Sequence, residues 1–158
     1  MKYLLLIFIL FFSACSVKEY QQTKTKIVII KSPKLKFTDV GYLRNSDDAV
    51  ELELFSAGVA IEKITINHLI CVSAGCMSKQ GFNQDYLTSA YPSDILQNIL
   101  LAKPIYNAIG IVKIDDGFEQ HIEDANVNIK YKVTKNITYF KDRKNHIIIK
   151  IKDIGMKP

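Results

Sequence analysis

The chain has 158 residues, 48% of them apolar and 23% charged, and its 21 Lys and Arg against 16 Asp and Glu give a formal charge of +5. This balance excludes an intrinsically disordered chain, a collagen-like repeat and a protein with many membrane spans. Three cysteines are too few for a small fold held by a disulfide framework. The length fits a single domain with one hydrophobic core.

The N-terminus has the pattern of a secretory signal peptide. Lys2 precedes an uninterrupted apolar run over residues 3–12, and two small residues follow at 13 and 14. A helix needs about 20 residues to span a bilayer, so this run is too short to do so. A charged start, a short apolar core and a small-residue end are typical of a signal peptide. We predict that residues 1–14 are removed.

Cys15 gives this signal a more specific interpretation. The stretch Phe12-Ser13-Ala14-Cys15 resembles the lipobox of bacterial lipoproteins. The resemblance implies that the Cys15 sulfur carries a diacylglyceryl group, that the chain is cut before Cys15 and that the new amine is acylated. In the lipoproteins that this stretch resembles, an Asp directly after the cysteine retains the protein in the inner membrane of a Gram-negative bacterium. By this resemblance, Ser16 favours the outer membrane. The alternatives are an ordinary cleaved signal with an incidental cysteine, and an uncleaved anchor.

The residues after the cysteine form a predicted tether. Residues 15–25 are mostly polar and have no periodicity, which is typical of a linker between a lipid and a folded domain. One acyl chain binds a membrane only marginally, whereas the several chains that the resemblance implies would hold the protein firmly. The remaining residues, 26–158, are predicted to form one domain.

Alternation of apolar and polar residues dominates this domain and predicts strands with one buried face. The alternation is clear at residues 50–54, 127–134 and 147–152, and further strands are predicted at residues 27–30, 35–43, 59–61, 64–70 and 109–114. Residues 137–140 are predicted to pair with 146–152 through a polar loop. Asp115-Asp116-Gly117 and residues 45–48 are turn signals.

Helical periodicity interrupts the strands once. Residues 93–102 place Ile95, Leu96, Ile99 and Leu100 on one stripe, and residues 83–87 predict another short turn of helix. The fold class predicted is therefore mainly β, an antiparallel, immunoglobulin-like β-sandwich with a short helical insertion around residues 83–102. This architecture, together with the lipobox, resembles the small immunoglobulin-like sandwich lipoproteins of Campylobacter and Helicobacter.

Cys71 and Cys76 are the most informative pair inside the domain. In an oxidising compartment a disulfide between them would persist, and Gly75 gives the short loop the freedom to close. Free thiols and a metal or redox site are the alternatives. His68 with the two cysteines gives three possible soft ligands, whereas a structural zinc site takes four. Because His68 is in line with the apolar residues of its strand, we expect it to be a buried, hydrogen-bonded histidine.

Two segments are candidate surfaces for a partner. One is the irregular aromatic stretch that follows the cysteines, and the other is the C-terminal hairpin, where residues 130–158 carry nine basic and two acidic residues. The residues predicted for these surfaces are Phe82, Tyr86, Tyr91, Tyr106, Lys130, Lys132, Arg143 and Lys144. The alternatives are aromatic side chains that pack over one end of the fold, and lysines that decorate the solvent face of an edge hairpin and discourage aggregation.

These patterns predict an envelope lipoprotein that is a non-enzymatic binding or assembly module, with no cofactor and no metal. Its expected partners are membrane lipid through Cys15 and another envelope protein or an envelope polymer, and no nucleic acid. An enzyme of unrecognised type is the first alternative, with His68 or His121 beside a carboxylate such as Asp85 or Glu123. A carrier of a hydrophobic ligand is the second, and it requires an apolar cavity inside the fold.

Overall fold

The computed structural model describes residues 22–46 and 49–155. The predicted signal peptide, Cys15 and residues 15–21 of the predicted tether therefore lie outside the described residues. The strands are β1 (Gln22–Lys31), β2 (Lys36–Asn45), β3 (Val50–Ser56), β4 (Val59–Ile66), β5 (Ile70–Val72), β6 (Gly75–Met77), β7 (Ile111–Ile114), β8 (Gly117–Glu123), β9 (Asn128–Thr134), β10 (Ile137–Asp142) and β11 (Ile147–Asp153). The helices are α1 (Lys79–Tyr86), α2 (Ile95–Leu100) and a short 3₁₀ helix (Tyr106–Ala108).

The described strands form one antiparallel sheet in the order β6-β5-β4-β3-β2-β1-β11-β10-β9-β8-β7. Every pair of neighbouring strands is also consecutive in the chain, except β1 and β11. Their ladder runs from Lys26 opposite Asp153 to Lys31 opposite Ile148 and joins the first half of the sheet to the second. The prediction of a mainly β, antiparallel fold with a short helical insertion is confirmed, and the arrangement fits a β-sandwich.

One face of this sheet is buried along both halves. Because successive side chains of a strand point to opposite faces, alternate residues enter the core, and Val28 of β1, Leu52 of β3 and Ile149 of β11 are each 0% exposed. The helical insertion packs on the same face and joins the same cluster. Its buried apolar side chains are Phe82, Leu87, Tyr91, Ile95, Leu96, Ile99, Leu100 and Ile105. The two halves of the sheet therefore share one core with the insertion.

Two strand boundaries differ from the sequence predictions: the start of β1 and the end of β4. β1 begins at Gln22, inside the predicted tether, because Gln22 to Thr25 pair with residues 42–45 of β2. The predicted strand at residues 64–70 ends at Ile66, and residues 67–69 form a turn in which the Asn67 amide donates to the Leu69 carbonyl. None of the described helices is long and apolar enough to cross a bilayer.

Candidate functional site

The predicted disulfide is present and joins the hairpin at one end of the sheet. Cys71 of β5 lies directly opposite Cys76 of β6, with their Cα atoms 3.9 Å apart. Gly75 has a φ of 127°, a conformation that glycine adopts easily. The amide and hydroxyl of Ser73 in the turn donate to Glu62 Oε1 at 2.9 and 2.7 Å. The disulfide therefore cross-links the two strands of this hairpin.

These hydrogen bonds also set the charge state of Glu62. Partial burial would raise the pKa of its carboxyl, but the donors from Ser73 and from the Lys63 amide outweigh that effect and lower the pKa. No group of three or more His, Cys, Asp or Glu close enough to hold a metal occurs within residues 22–46 and 49–155.

The histidine predictions are corrected by the structure. His68 is exposed, since it lies in the turn after β4 rather than on the strand, and the expectation of a buried core histidine was wrong. His121 points outward from β8 with a side chain that is 64% exposed, and its Nε2 is 3.8 Å from Glu119 Oε2. The carboxylates expected for an enzyme, Asp85 and Glu123, are exposed and have no hydrogen bond or ion pair to either histidine among the described contacts.

The aromatic segment packs into the fold. Phe82 and Tyr91 are 1% and 2% exposed, so the prediction that they form a partner surface was wrong. Tyr86 stacks on Phe82 with 4.6 Å between ring centroids, and Tyr106 is half-buried. Burial is the main reason that the pKa of Tyr106 rises to about 12. These aromatic side chains therefore follow the alternative prediction, that they pack on the fold instead of forming a partner surface.

Tyr91 also connects the insertion to the C-terminal hairpin. Its hydroxyl donates to Asp142 Oδ2 at 2.8 Å, and both residues are buried. The same carboxylate accepts the amides of Asn128 and Lys144 and the side-chain amide of Asn145. Burial would raise the pKa of Asp142, but these donors lower it, so Asp142 is an internal anion that organises the turn after β10.

The outward side of the sheet carries a concentration of positive charge. The register places lysines at outward positions of β1, β9, β10 and β11, and Lys36 of β2 lies opposite Lys31 on the same side. We call this set the lysine face. Its members are Lys31, Lys36, Lys130, Lys132, Lys141, Lys150 and Lys152. The outward positions of these four fully described strands include no Asp or Glu.

Most of the lysine face is not neutralised. Lys132 pairs with Glu119 of β8 at 2.9 Å, and this bond raises the pKa of the lysine and lowers that of the glutamate. The other six lysines have no salt bridge within the described part of the chain. On the first half of the sheet, by contrast, Arg44 bonds to both Glu51 and Glu53 at 2.8 Å. The positive charge is therefore concentrated over the middle and second half of the sheet.

The structure also corrects the expected location of the basic hairpin in the sheet. The alternative that its lysines protect an edge strand was wrong, because β10 and β11 lie inside the sheet between β9 and β1. The sequence pattern of the hairpin alone does not indicate that β1 pairs with it. The contributions of Lys31 and Lys36 were therefore missed, although Lys31 continues the alternation of Ile27 and Ile29 on β1.

A shallow cleft lies within the lysine face. It has a volume of about 360 Å³, and the cationic side chains of Lys31, Lys141 and Arg143 line it together with Asp142, His146 and Ile148. Ile148 is opposite Lys31 on one side and Lys141 on the other, so the two lysines flank it across neighbouring strands. Lys144, which was also predicted for the partner surface, is directed away from this cleft, because its Nζ donates to the Ala125 carbonyl.

Comparisons with known proteins found no relative of this chain. No family model matches it, and no curated protein and no solved structure has significant similarity to it.

Proposed function

We propose that this protein is a cell-envelope lipoprotein of a Gram-negative bacterium, anchored through Cys15, and that its β domain is a non-enzymatic binding or assembly module. The lysine face is its binding surface, and the partner is an anionic component of the envelope. The lipobox-like stretch at residues 12–15 supports the anchor. The lysine face supports the binding role and is the single observation that carries it.

The lysine face favours binding because it concentrates unpaired positive charge that strands distant in sequence bring together. Lys31 and Lys141 are separated by more than a hundred residues in the chain, yet both flank Ile148. An electrostatic surface of this kind attracts anionic partners and accelerates their encounter. Lysines that only keep a protein soluble do not require six neighbouring positions without a salt bridge.

The two alternative functions have less support. The histidines of the enzyme hypothesis lie in separate, exposed places, and neither contacts Asp85 or Glu123 among the described residues. A hydrophobic carrier needs an apolar cavity, but the buried face of the sheet is filled by side chains of the insertion. The described clefts, of about 220, 360 and 260 Å³, are open and have lysine, arginine or acidic side chains on their walls.

The anchor is tested by metabolic labelling with a fatty acid. Cys15→Ser should abolish incorporation of the label and release the protein from membranes, because the thiol that receives the diacylglyceryl group is absent. The matched control is Cys71→Ser/Cys76→Ser, which removes the other two cysteines and should leave labelling unchanged. Labelled Cys15→Ser protein would contradict the proposed anchor.

The binding surface is tested by recovery of partners from detergent-solubilised envelopes. Lys130→Gln/Lys150→Gln should reduce capture of anionic components, whereas Lys103→Gln/Lys113→Gln removes the same charge from exposed positions off the lysine face. Equal capture by both double variants would contradict a specific role for the lysine face.

A further inference from the structure

We infer that the anionic partner is the bilayer that holds the anchor, and that the cleft between Lys31 and Lys141 binds the phosphate of an anionic phospholipid headgroup. The inference rests on the proposed function, since it needs the Cys15 anchor. It goes further because it names the partner and the orientation in which the domain lies, with the lysine face against the membrane.

The cleft has the groups that a phosphate headgroup requires. Lys31, Arg143 and His146 are exposed and Lys141 is half-exposed, so their donors are open to a ligand. Arg can bind a phosphate through two parallel N–H donors, and Lys binds it as a point charge. Ile148 lies opposite both lysines in the register, and its apolar side chain does not compete for the phosphate.

The one acidic residue in the lining does not oppose an anion there. Asp142 is 0% exposed, and its carboxylate oxygens already accept hydrogen bonds from Tyr91, Asn128, Lys144 and Asn145. Its side chain belongs to the buried face, because Asp142 lies opposite Ile147 and Ile129 of the core. The exposed wall of the cleft is therefore cationic.

The rest of the lysine face extends the positive charge of this site over neighbouring strands. Lys150 and Lys152 follow Ile148 at outward positions of β11, and Lys130 lies beside Lys141 on β9. An anionic membrane attracts nearby lysines with about 1 kcal/mol each, which is about fivefold in affinity per lysine. Several lysines on one face of the sheet can act together on neighbouring headgroups.

The chain outside the structure makes this contact geometrically possible. Residues 15–21 separate Cys15 from the start of β1, and seven extended residues reach at most about 25 Å. β1 itself lies in the lysine face and carries Lys31 at its other end. A tether of this length keeps the face within reach of the bilayer, at high effective concentration.

The test uses the complete lipidated protein in nanodiscs and measures the reaction of lysine amines with acetic anhydride by mass spectrometry. One set of discs contains phosphatidylcholine, and the other contains phosphatidylglycerol in addition. We expect Lys31, Lys141 and Lys150 to react at least about fivefold more slowly in the anionic discs. Lys103 and Lys113, off the lysine face, should react equally in both. High salt should remove the protection, because it screens exposed charges.

A variant pair tests the cleft. Lys31→Gln/Lys141→Gln should lower the equilibrium constant for docking by about 25-fold, because each lysine contributes about fivefold. Lys150 should then lose its protection from the anhydride. Lys103→Gln/Lys113→Gln should retain it. Because none of the four positions is buried, the variants should fold, and circular dichroism checks this.

Each other outcome has a definite meaning. Failure of the protein to enter the discs at all would overturn the anchor, and the inference with it. Normal entry with equal lysine reactivity in both discs would overturn the inference alone. Protection by inorganic phosphate in phosphatidylcholine discs, as strong as that by phosphatidylglycerol, would assign the cleft to a free anion. Protection that requires added envelope proteins would assign the face to a protein partner.

Discussion

Asp142 holds three parts of the chain together at the scale of a single residue. Its carboxylate accepts from Tyr91 of the insertion, from Asn128 of β9 and from the turn that leads to β11. A buried anion is stable only when donors replace the water it has lost. The network therefore links the position of the insertion to the shape of the turn that bears Arg143.

Asp142→Asn should lower the free energy of unfolding by about 2–3 kcal/mol at neutral pH, because an amide presents a donor where Tyr91 and Asn145 also donate. Chemical denaturation measures the loss. Asp85→Asn, an exposed carboxylate on α1, is the control and should change stability by less than about 0.5 kcal/mol.

The pH dependence of this difference follows from the direction of the pKa shift. The pKa of Asp142 is lower in the folded protein than its ordinary value near 3.9, so its contribution is complete above that value. As the pH falls below about 4, the unfolded state binds the proton first, and the contribution is lost. The stability difference between wild type and Asp142→Asn should shrink there; a difference that stays constant down to pH 2 would contradict this account.

Buried apolar residues could be predicted from the sequence, whereas buried polar residues could not. The apolar stripe of α2 was predicted correctly because four aliphatic residues recur at helical spacing. Gln120 is polar but 0% exposed, since its amide bonds to the backbone of Ile105 and Ile109. Its partners are set by the path of a distant loop, so alternation alone gives no signal for it.

At the scale of elements, the β5–β6 hairpin depends on its disulfide because it is short. Each strand has three residues, and β6 is at one end of the sheet with a partner on one side only. Short terminal strands have few ladder hydrogen bonds, and a cross-link restricts their unfolded state instead.

Removing this bond should have a modest and local effect. For so short a loop, Cys71→Ser/Cys76→Ser should lower the free energy of unfolding by about 2 kcal/mol. Hydrogen exchange should accelerate at residues 70–77 far more than in β9–β11. Alkylation supplies the control: both thiols of the wild-type protein should resist modification until a reductant is added. Modification without reduction would contradict the bond.

Element prediction from the sequence succeeded where one face is purely apolar. The alternation at residues 127–134 and 147–152 corresponds to β9 and β11, whose inward residues are buried. β8 was missed because the inward Gln120 interrupts its pattern, and β5 and β6 were missed because three residues are too few for periodicity. α1 begins earlier than predicted, where the Ser78 hydroxyl accepts from the Gly81 amide and caps the helix.

At the scale of the whole molecule, the β1–β11 ladder makes the fold a single unit. It pairs residues from opposite ends of the domain, such as Lys31 and Ile148, and it lies at the centre of the sheet. Contacts so distant in sequence form late and slow folding. Such a pairing has no local signal, which is why composition and alternation predicted the fold class but not the order of the strands.

A cavity in this central region should destabilise both halves together. Ile149→Ala, at a fully buried position of β11, should lower the free energy of unfolding by about 2–5 kcal/mol. Hydrogen exchange should accelerate in β3 as well as in β10 if the two halves open as one unit. Val59→Ala, at a position that is 65% exposed, should change stability by less than about 0.5 kcal/mol. Faster exchange confined to β10 and β11 would indicate two independent units.

The insertion has a mechanical consequence because of where it begins and ends. It leaves the sheet after β6 and returns at β7, which are the two outermost strands. Residues 78–110 are thus a covalent strap from one rim to the other, seated on the core side. The sheet cannot open fully until both α1 and α2 have left that side, so the more stable of the two helices sets the force at which the domain opens.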